Sequence, residues 1–138
     1  MISPKISIIV PVYKPGESFL RLLQMLKVQE RPFRKLIIIN TVPDGAACNP
    51  DKTLELIKQV FEDSSSYIYK CISQSEFDHA GTRKAAAALS EADAFICMTD
   101  DAVPDDKCLT TKLIGALETD EKTAIAYSRQ LPREGAGA

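Results

Sequence analysis

The sequence predicts an α/β fold: a mostly parallel sheet with helices on both faces. Three observations carry this. Apolar, β-branched runs bounded by turn residues recur along the chain. Segments with apolar residues at helical spacing lie between them. The two kinds alternate from the first run to the last, the order that packs helices onto a parallel sheet.

The first run, ISIIVPVY within 5–13, is almost continuously apolar, as expected of a strand buried on both faces. Pro15 and Gly16 mark the turn that follows. Phe19, Leu22, Leu23 and Leu26 then repeat at helical spacing, with Arg21, Gln24 and Lys27 on the other side. RKLIIINT, 34–41, reads as a second buried strand, and VPDGAACNP as a loop. Asn49 and Pro50 predict a helix start, a capping side chain followed by the residue tolerated at the first helical position. Leu54, Ile57 and Phe61 continue that helix. Residues 66–72 predict a third strand. An alanine-rich helix follows, with Asp78 near its start. Residues 93–99 predict a fourth, buried strand. A helix over 104–118 is expected to be capped by Asp105, and 123–131 is expected to form a fifth strand.

Bulk properties narrow the function. A chain of 138 residues suits one domain, or part of a larger protein, and can bury a core without a metal or disulfide staple. Lys and Arg number 17 and Asp and Glu 19, a net charge of -2 that gives nucleic acid no support as a partner. Cys48, Cys71, Cys97 and Cys108 lack metal-ligand spacing, and three sit in or beside apolar segments. The expectation is free thiols in a reducing cytoplasm. No leader is visible, and no run approaches the roughly 20 apolar residues of a membrane span. Residence at the inner face of a membrane would come through partners.

In open α/β sheets, ligands bind beyond the carboxyl ends of the strands. Several chemistry-bearing residues fall there. Asp100 and Asp101 follow the fourth apolar run. Adjacent carboxylates repel unless a cation or hydrogen-bond donors lie between them. Mg²⁺ or Mn²⁺, held by one or two carboxylates and by substrate phosphates, would supply that. A strand-to-helix turn whose Asp caps the next helix is the other reading, and it accounts better for Asp105 and Asp106. Tyr13, just past the first strand, is placed to stack on a nucleobase or to be an ordinary half-buried tyrosine. His79 and Arg83 lie four residues apart at a helix amino end, suited to an anion or to solvent. No nucleophile triad, GxGxxG or GxxxxGK[ST] is present, which removes the main markers of dinucleotide and P-loop sites.

Together, ISIIVPVYKP, IIINT, FDHAGTRKAAA and FICMTDDAVP occur in the order seen in family 2 glycosyltransferases of the GT-A fold. FDHAGTR, MTDDAVPDD and AYSRQLPR most resemble the rhamnosyltransferase-like branch. The resemblance spans nearly the whole chain. It implies a Rossmann-like nucleotide-diphospho-sugar transferase fold in a single domain, 1–138, that forms the donor-nucleotide half. It implies a divalent cation, Mg²⁺ or Mn²⁺, a nucleotide-sugar donor, and a saccharide or lipid-linked acceptor. Pro11 and Tyr13 match positions that line the base pocket. Asn40 matches an acid that bonds the pyrimidine, Arg83 a basic residue near the diphosphate, Asp100 a ribose contact and Asp101 a metal ligand. Asn40 departs from the acid usual in the family. No residue matches the family's general base, so the catalytic residue is unknown and the acceptor half is expected to be absent. A truncated sheet would leave an open edge and favour self-association. The competing reading is a non-catalytic nucleotide-binding or docking module with the same fold.

Overall fold

The computed structural model describes residues 5–48 and 52–119. Four strands, β1 (Ile6–Tyr13), β2 (Lys35–Val42), β3 (Tyr67–Ser73) and β4 (Ala94–Cys97), form one parallel sheet in the order β3-β2-β1-β4. Helices α1 (Glu17–Lys27), α2 (Thr53–Val60), α3 (His79–Ser90) and α4 (Leu109–Glu118) alternate with them. The expected architecture is therefore present. The fifth strand, 123–131, and the Asn49–Pro50 helix start lie outside the described residues.

Period-two alternation divides the core into two layers. Ile8, Val10 and Val12 of β1 and Leu36 and Ile38 of β2 face α1, α2 and α4. Phe19, Leu22, Leu23 and Leu26 of α1 complete that layer, as their spacing predicts. On the other face, Ile9, Ile37 and Ile39 pack against Ala86 of α3. Because β1 and β2 have a neighbour on each edge and helices on both faces, both read as near-continuous apolar runs.

Three local expectations change. The fourth strand is shorter than 93–99, and among the described residues β1 is the one strand paired with it, leaving Phe95 half exposed and Cys97 exposed. α4 begins at Leu109 with Cys108 as its cap residue, so Asp105 does not cap it. Instead the Cys108 backbone N–H donates to Asp106 Oδ1 at 2.8 Å inside the preceding turn. α2 begins at Thr53 after Lys52, whose φ of 54° is left-handed. Phe61 caps the carboxyl end of α2 rather than continuing it.

The cysteine expectation is also corrected. Cys48, in the loop after β2, and Cys71, on β3, form a disulfide with Cα atoms 5.7 Å apart. A separation of 23 residues matches no spacing motif, and the pair meets because the loop after β2 folds back onto β3. Free thiols therefore cannot argue for a reducing compartment. Among the described residues, Cys97 and Cys108 are free. No described helix is long and apolar enough to cross a membrane.

The bridge closes a loop for which chain entropy predicts about 3 kcal/mol of stabilisation. Urea unfolding with and without a dithiol reductant should show a loss of that order. Coincident midpoints would mean the bridge contributes nothing.

Candidate functional site

A cleft of about 460 Å³ opens at the carboxyl ends of the strands, within the roughly 300–1,000 Å³ range of small-molecule sites. Pro11, Val12 and Tyr13 at the end of β1 form one flank. Thr41 of β2 lies between that flank and Gln74, Phe77 and Arg83, which follow β3. Thr99 and Asp100, after β4, line the same space. The β1–β2 register explains this grouping. Pro11 pairs with Ile39 and Tyr13 with Thr41, so these residues share one face.

Asp100 and Asp101 do not sit at the tip of a buried strand. They occupy the middle of a turn closed by the Ala102 N–H donating to the Thr99 carbonyl at 3.2 Å. Asp100 is half-buried and accepts the Tyr13 backbone N–H at 3.3 Å, which joins the ends of β1 and β4. Partial burial pushes its carboxyl up; the Tyr13 N–H opposes this and the Asp101 charge adds to it. Asp101 is exposed and accepts the Thr99 hydroxyl at 3.0 Å through Oδ1. Water around the exposed Asp101 screens part of the repulsion between the two acids. Among the described residues no three His, Cys, Asp or Glu side chains group as metal ligands. One or two carboxylates beside an open cleft nevertheless fit Mg²⁺ or Mn²⁺, which take most ligands from water and phosphates.

The other charged flank depends on the start of α3. Asp78 caps this helix, accepting the Gly81 backbone N–H at 2.9 Å. A Cβ on Gly81 would lie 2.6 Å from Asp78 Oδ2, so a larger residue there would make the capping carboxylate shift. The helix then carries Arg83, half-buried, into the cleft. Partial burial raises the Cys97 thiol, and the Arg83 charge opposes that shift, so guanidinium and β4 end are neighbours. The His79 side chain lies outside the described residues.

Tyr13 is 46% exposed, with the Lys14 ammonium 5.4 Å from its ring centroid. Lys14 has φ 46°, an uncommon conformation for a non-glycine residue, where the chain leaves the sheet beside the cleft.

Asn40 does not line the cleft. It pairs with Val12, so it shares the face of α2, away from Pro11 and Tyr13. It is 1% exposed, and its Nδ2 donates to Tyr69 Oη at 2.9 Å and Thr53 Oγ1 at 3.3 Å. The Tyr69 hydroxyl also lies 3.4 Å from Cys71 Sγ, a disulfide sulfur that can only accept. Thus Pro11, Tyr13, Arg83 and Asp100 come together, Asp101 adjoins them, and Asn40 stands apart. Sequence reasoning set Thr41 beside Asn40 at the ligand-binding edge without a role, and did not assign Gln74, Phe77 or Thr99 to the site. Register with Tyr13 marks Thr41, whereas Gln74 lies in a stretch without a pattern.

Residues 7–137 match the model of glycosyl transferase family 2. The chain belongs to that family. Two curated relatives are O-antigen chain rhamnosyltransferases. RfbN of Salmonella typhimurium is 31% identical over 133 residues, and WbaN of Salmonella anatum 30% over 137. Each alignment covers 96% of this chain and 39% of the relative, so the chain spans about two-fifths of their length. Among solved structures, S. aureus TarS 1-349 superposes with a TM-score of 0.65 at 19% identity, covering 83% of this chain and 32% of TarS. Its complex with UDP-GlcNAc gives 0.62 at 18%. At that identity the likeness concerns the GT-A fold, which this family 2 chain shares.

Two outcomes follow from the site. The folded protein holds the Asp100 proton more tightly than the unfolded chain does. Ionised Asp100 therefore costs stability at neutral pH, a cost that fades as pH falls to about 4 and below. Asp100→Asn should raise Tm at pH 7 and converge with the parent near pH 3; a lower Tm at pH 7 would contradict this. Asp78→Ala should remove the cap and cost about 1 kcal/mol in urea unfolding. An unchanged midpoint would mean that this carboxylate does not stabilise α3.

Proposed function

We propose that this chain is the donor-binding part of a glycosyltransferase that takes a nucleoside-diphosphate sugar together with Mg²⁺ or Mn²⁺. The observation that carries the reading is one cleft that combines an apolar flank, Pro11 and Tyr13, with Arg83 on one side and Asp100 on another. Those groups match the parts of such a donor. An aromatic ring and a proline offer flat apolar surface to a base. A guanidinium suits phosphate oxygens. Asp100 can accept from ribose hydroxyls while it keeps the Tyr13 N–H.

Asp101, exposed beside the cleft, is the proposed cation ligand. A bound divalent ion would offset the charge of the diphosphate, in the substrate and as the leaving group. Asn40 has a supporting role here, fixing α2 and β3 against the back of β2. Family membership and the rhamnosyltransferase relatives support transfer to an acceptor hydroxyl, saccharide or lipid-linked. The TarS complex with UDP-GlcNAc supports a nucleotide-sugar donor. Residues 1–138 are proposed as one unit of donor recognition, acting on the cytoplasmic side of a membrane that supplies the acceptor. Self-association belongs to the same reading.

Calorimetry of the chain with UDP and with dTDP, each with and without Mn²⁺, tests it. Binding should strengthen about tenfold or more with Mn²⁺, and Asp101→Asn should remove that gain. No binding of either nucleotide in the presence of Mn²⁺ would refute the donor site.

A further inference from the structure

The two sulfurs of the Cys48–Cys71 bridge have different surroundings. Cys48 sits in the loop after β2 and is exposed. Cys71 is half-buried on β3, paired in register with Asn40. A chain of hydrogen bonds ends on Cys71. Asn40 Nδ2 donates to Tyr69 Oη at 2.9 Å, and the Tyr69 hydroxyl, 3.4 Å from Cys71 Sγ, donates to that sulfur. Thiol–disulfide exchange needs one sulfur open to attack and another able to leave as a thiolate. A hydrogen bond donated to a thiolate stabilises it. The bridge therefore has a side for attack, Cys48, and a side for departure, Cys71. A bridge that served stability alone would need neither.

The same loop reaches the cleft. Residues 43–48 form a turn in which the Ala46 N–H donates to the Pro43 carbonyl at 3.0 Å and Gly45 has φ 79°. Among the described residues, two bonds tie this turn to the β3 side. One is the bridge, and the other is Asp44 Oδ1, which accepts the Ser75 N–H at 3.0 Å. Ser75 follows Gln74 and precedes Phe77, and both of those residues line the cleft. The Phe77 N–H closes that short turn on the Gln74 carbonyl at 3.3 Å. Opening the bridge leaves the exposed Asp44–Ser75 bond as the remaining tie, a weak one by itself.

We propose that Cys48–Cys71 is a thiol-exchange switch that sets how firmly the 74–77 wall of the cleft is held. An external dithiol operates it. One thiolate of the dithiol bonds to Cys48 Sγ, the S–S bond breaks, and its electron pair leaves on Cys71 Sγ. The second thiol then displaces Cys48 from the mixed disulfide. Two electrons pass from the dithiol to the bridge, and the two protons of the dithiol are balanced by those taken up on the two cysteines. The dithiol ends as a disulfide. That the held wall serves nucleotide binding rests on the donor reading above.

The test uses the 138-residue chain. Alkylation in denaturant without reductant should label Cys97 and Cys108 alone; labelling of all four cysteines overturns the proposal. Brief treatment with glutathione, followed by an acid quench and peptide mapping, should place the mixed disulfide on Cys48. Glutathione on Cys71 overturns the direction of attack. Tyr69→Phe should slow this step about threefold, as one pKa unit does at an exchange sensitivity near one half; an unchanged rate overturns the role of Tyr69. Oxidised chain, dithiothreitol-reduced chain and the Cys48→Ser, Cys71→Ser double variant are then compared, with circular dichroism showing that each is folded at the assay temperature. Hydrogen exchange at the Ser75 amide should quicken in the last two. UDP with Mn²⁺ should bind them about fivefold more weakly, as when a fifth of the molecules hold the competent wall. The double variant should not respond to dithiothreitol. Equal Ser75 exchange and equal UDP affinity in all three overturn the switch and leave the donor reading standing. Quickened Ser75 exchange with no UDP binding by any form supports the switch and overturns the donor reading.

Discussion

The pleat of two neighbouring parallel strands, β1 and β2, governs the rest of the structure. Their pairing is in step from Ser7 and Lys35 to Tyr13 and Thr41, so every side chain has its face decided. One set of alternate residues builds the layer against α1, α2 and α4. The other set packs on α3 and, one step further along, reaches the cleft as Pro11, Tyr13 and Thr41. A slip of one residue would exchange the two sets. Such a slip would bury Tyr13, so it is resisted by the whole apolar core and not by any single contact at the site.

Much of this was legible in the sequence, and what was not has physical causes. Strand β1 and helix α1 were readable because burial imposes a continuous apolar run on one and a 3.6-residue period on the other. Strand order was not, and among the described residues β4 has a neighbour on one side alone. Pro11, Tyr13, Arg83 and Asp100 line one cleft because the ends of parallel strands converge on one side of a sheet. Asn40 was placed by analogy, and its face depends on register, which the composition of β2 alone does not reveal. Gln74 and the Cys48–Cys71 bridge depend on loops meeting in space, for which no local pattern exists.

The Asn40 departure gains a reason from its surroundings. At 1% exposure, an ionised carboxylate there would meet two hydroxyls and no described cation. An uncharged amide avoids the cost of burying a charge. Its neutrality suits a position that braces α2 and β3. The Cys48–Cys71 bridge and the Asp44–Ser75 bond stiffen β3 and the residues that follow it. The segment after β3 is therefore the braced wall of the cleft, while Asp101 after β4 keeps its access to solvent.

The central claim is that this cleft holds a nucleoside diphosphate and a divalent ion between Tyr13, Arg83 and the Asp100–Asp101 turn. A crystal structure of the chain grown with UDP and Mn²⁺, with anomalous scattering recorded for manganese, tests it most directly. The account predicts a manganese peak bonded to Asp101 and the diphosphate, with the base against Pro11 and Tyr13. A nucleotide bound elsewhere, or a manganese ion that contacts neither acid, would contradict it.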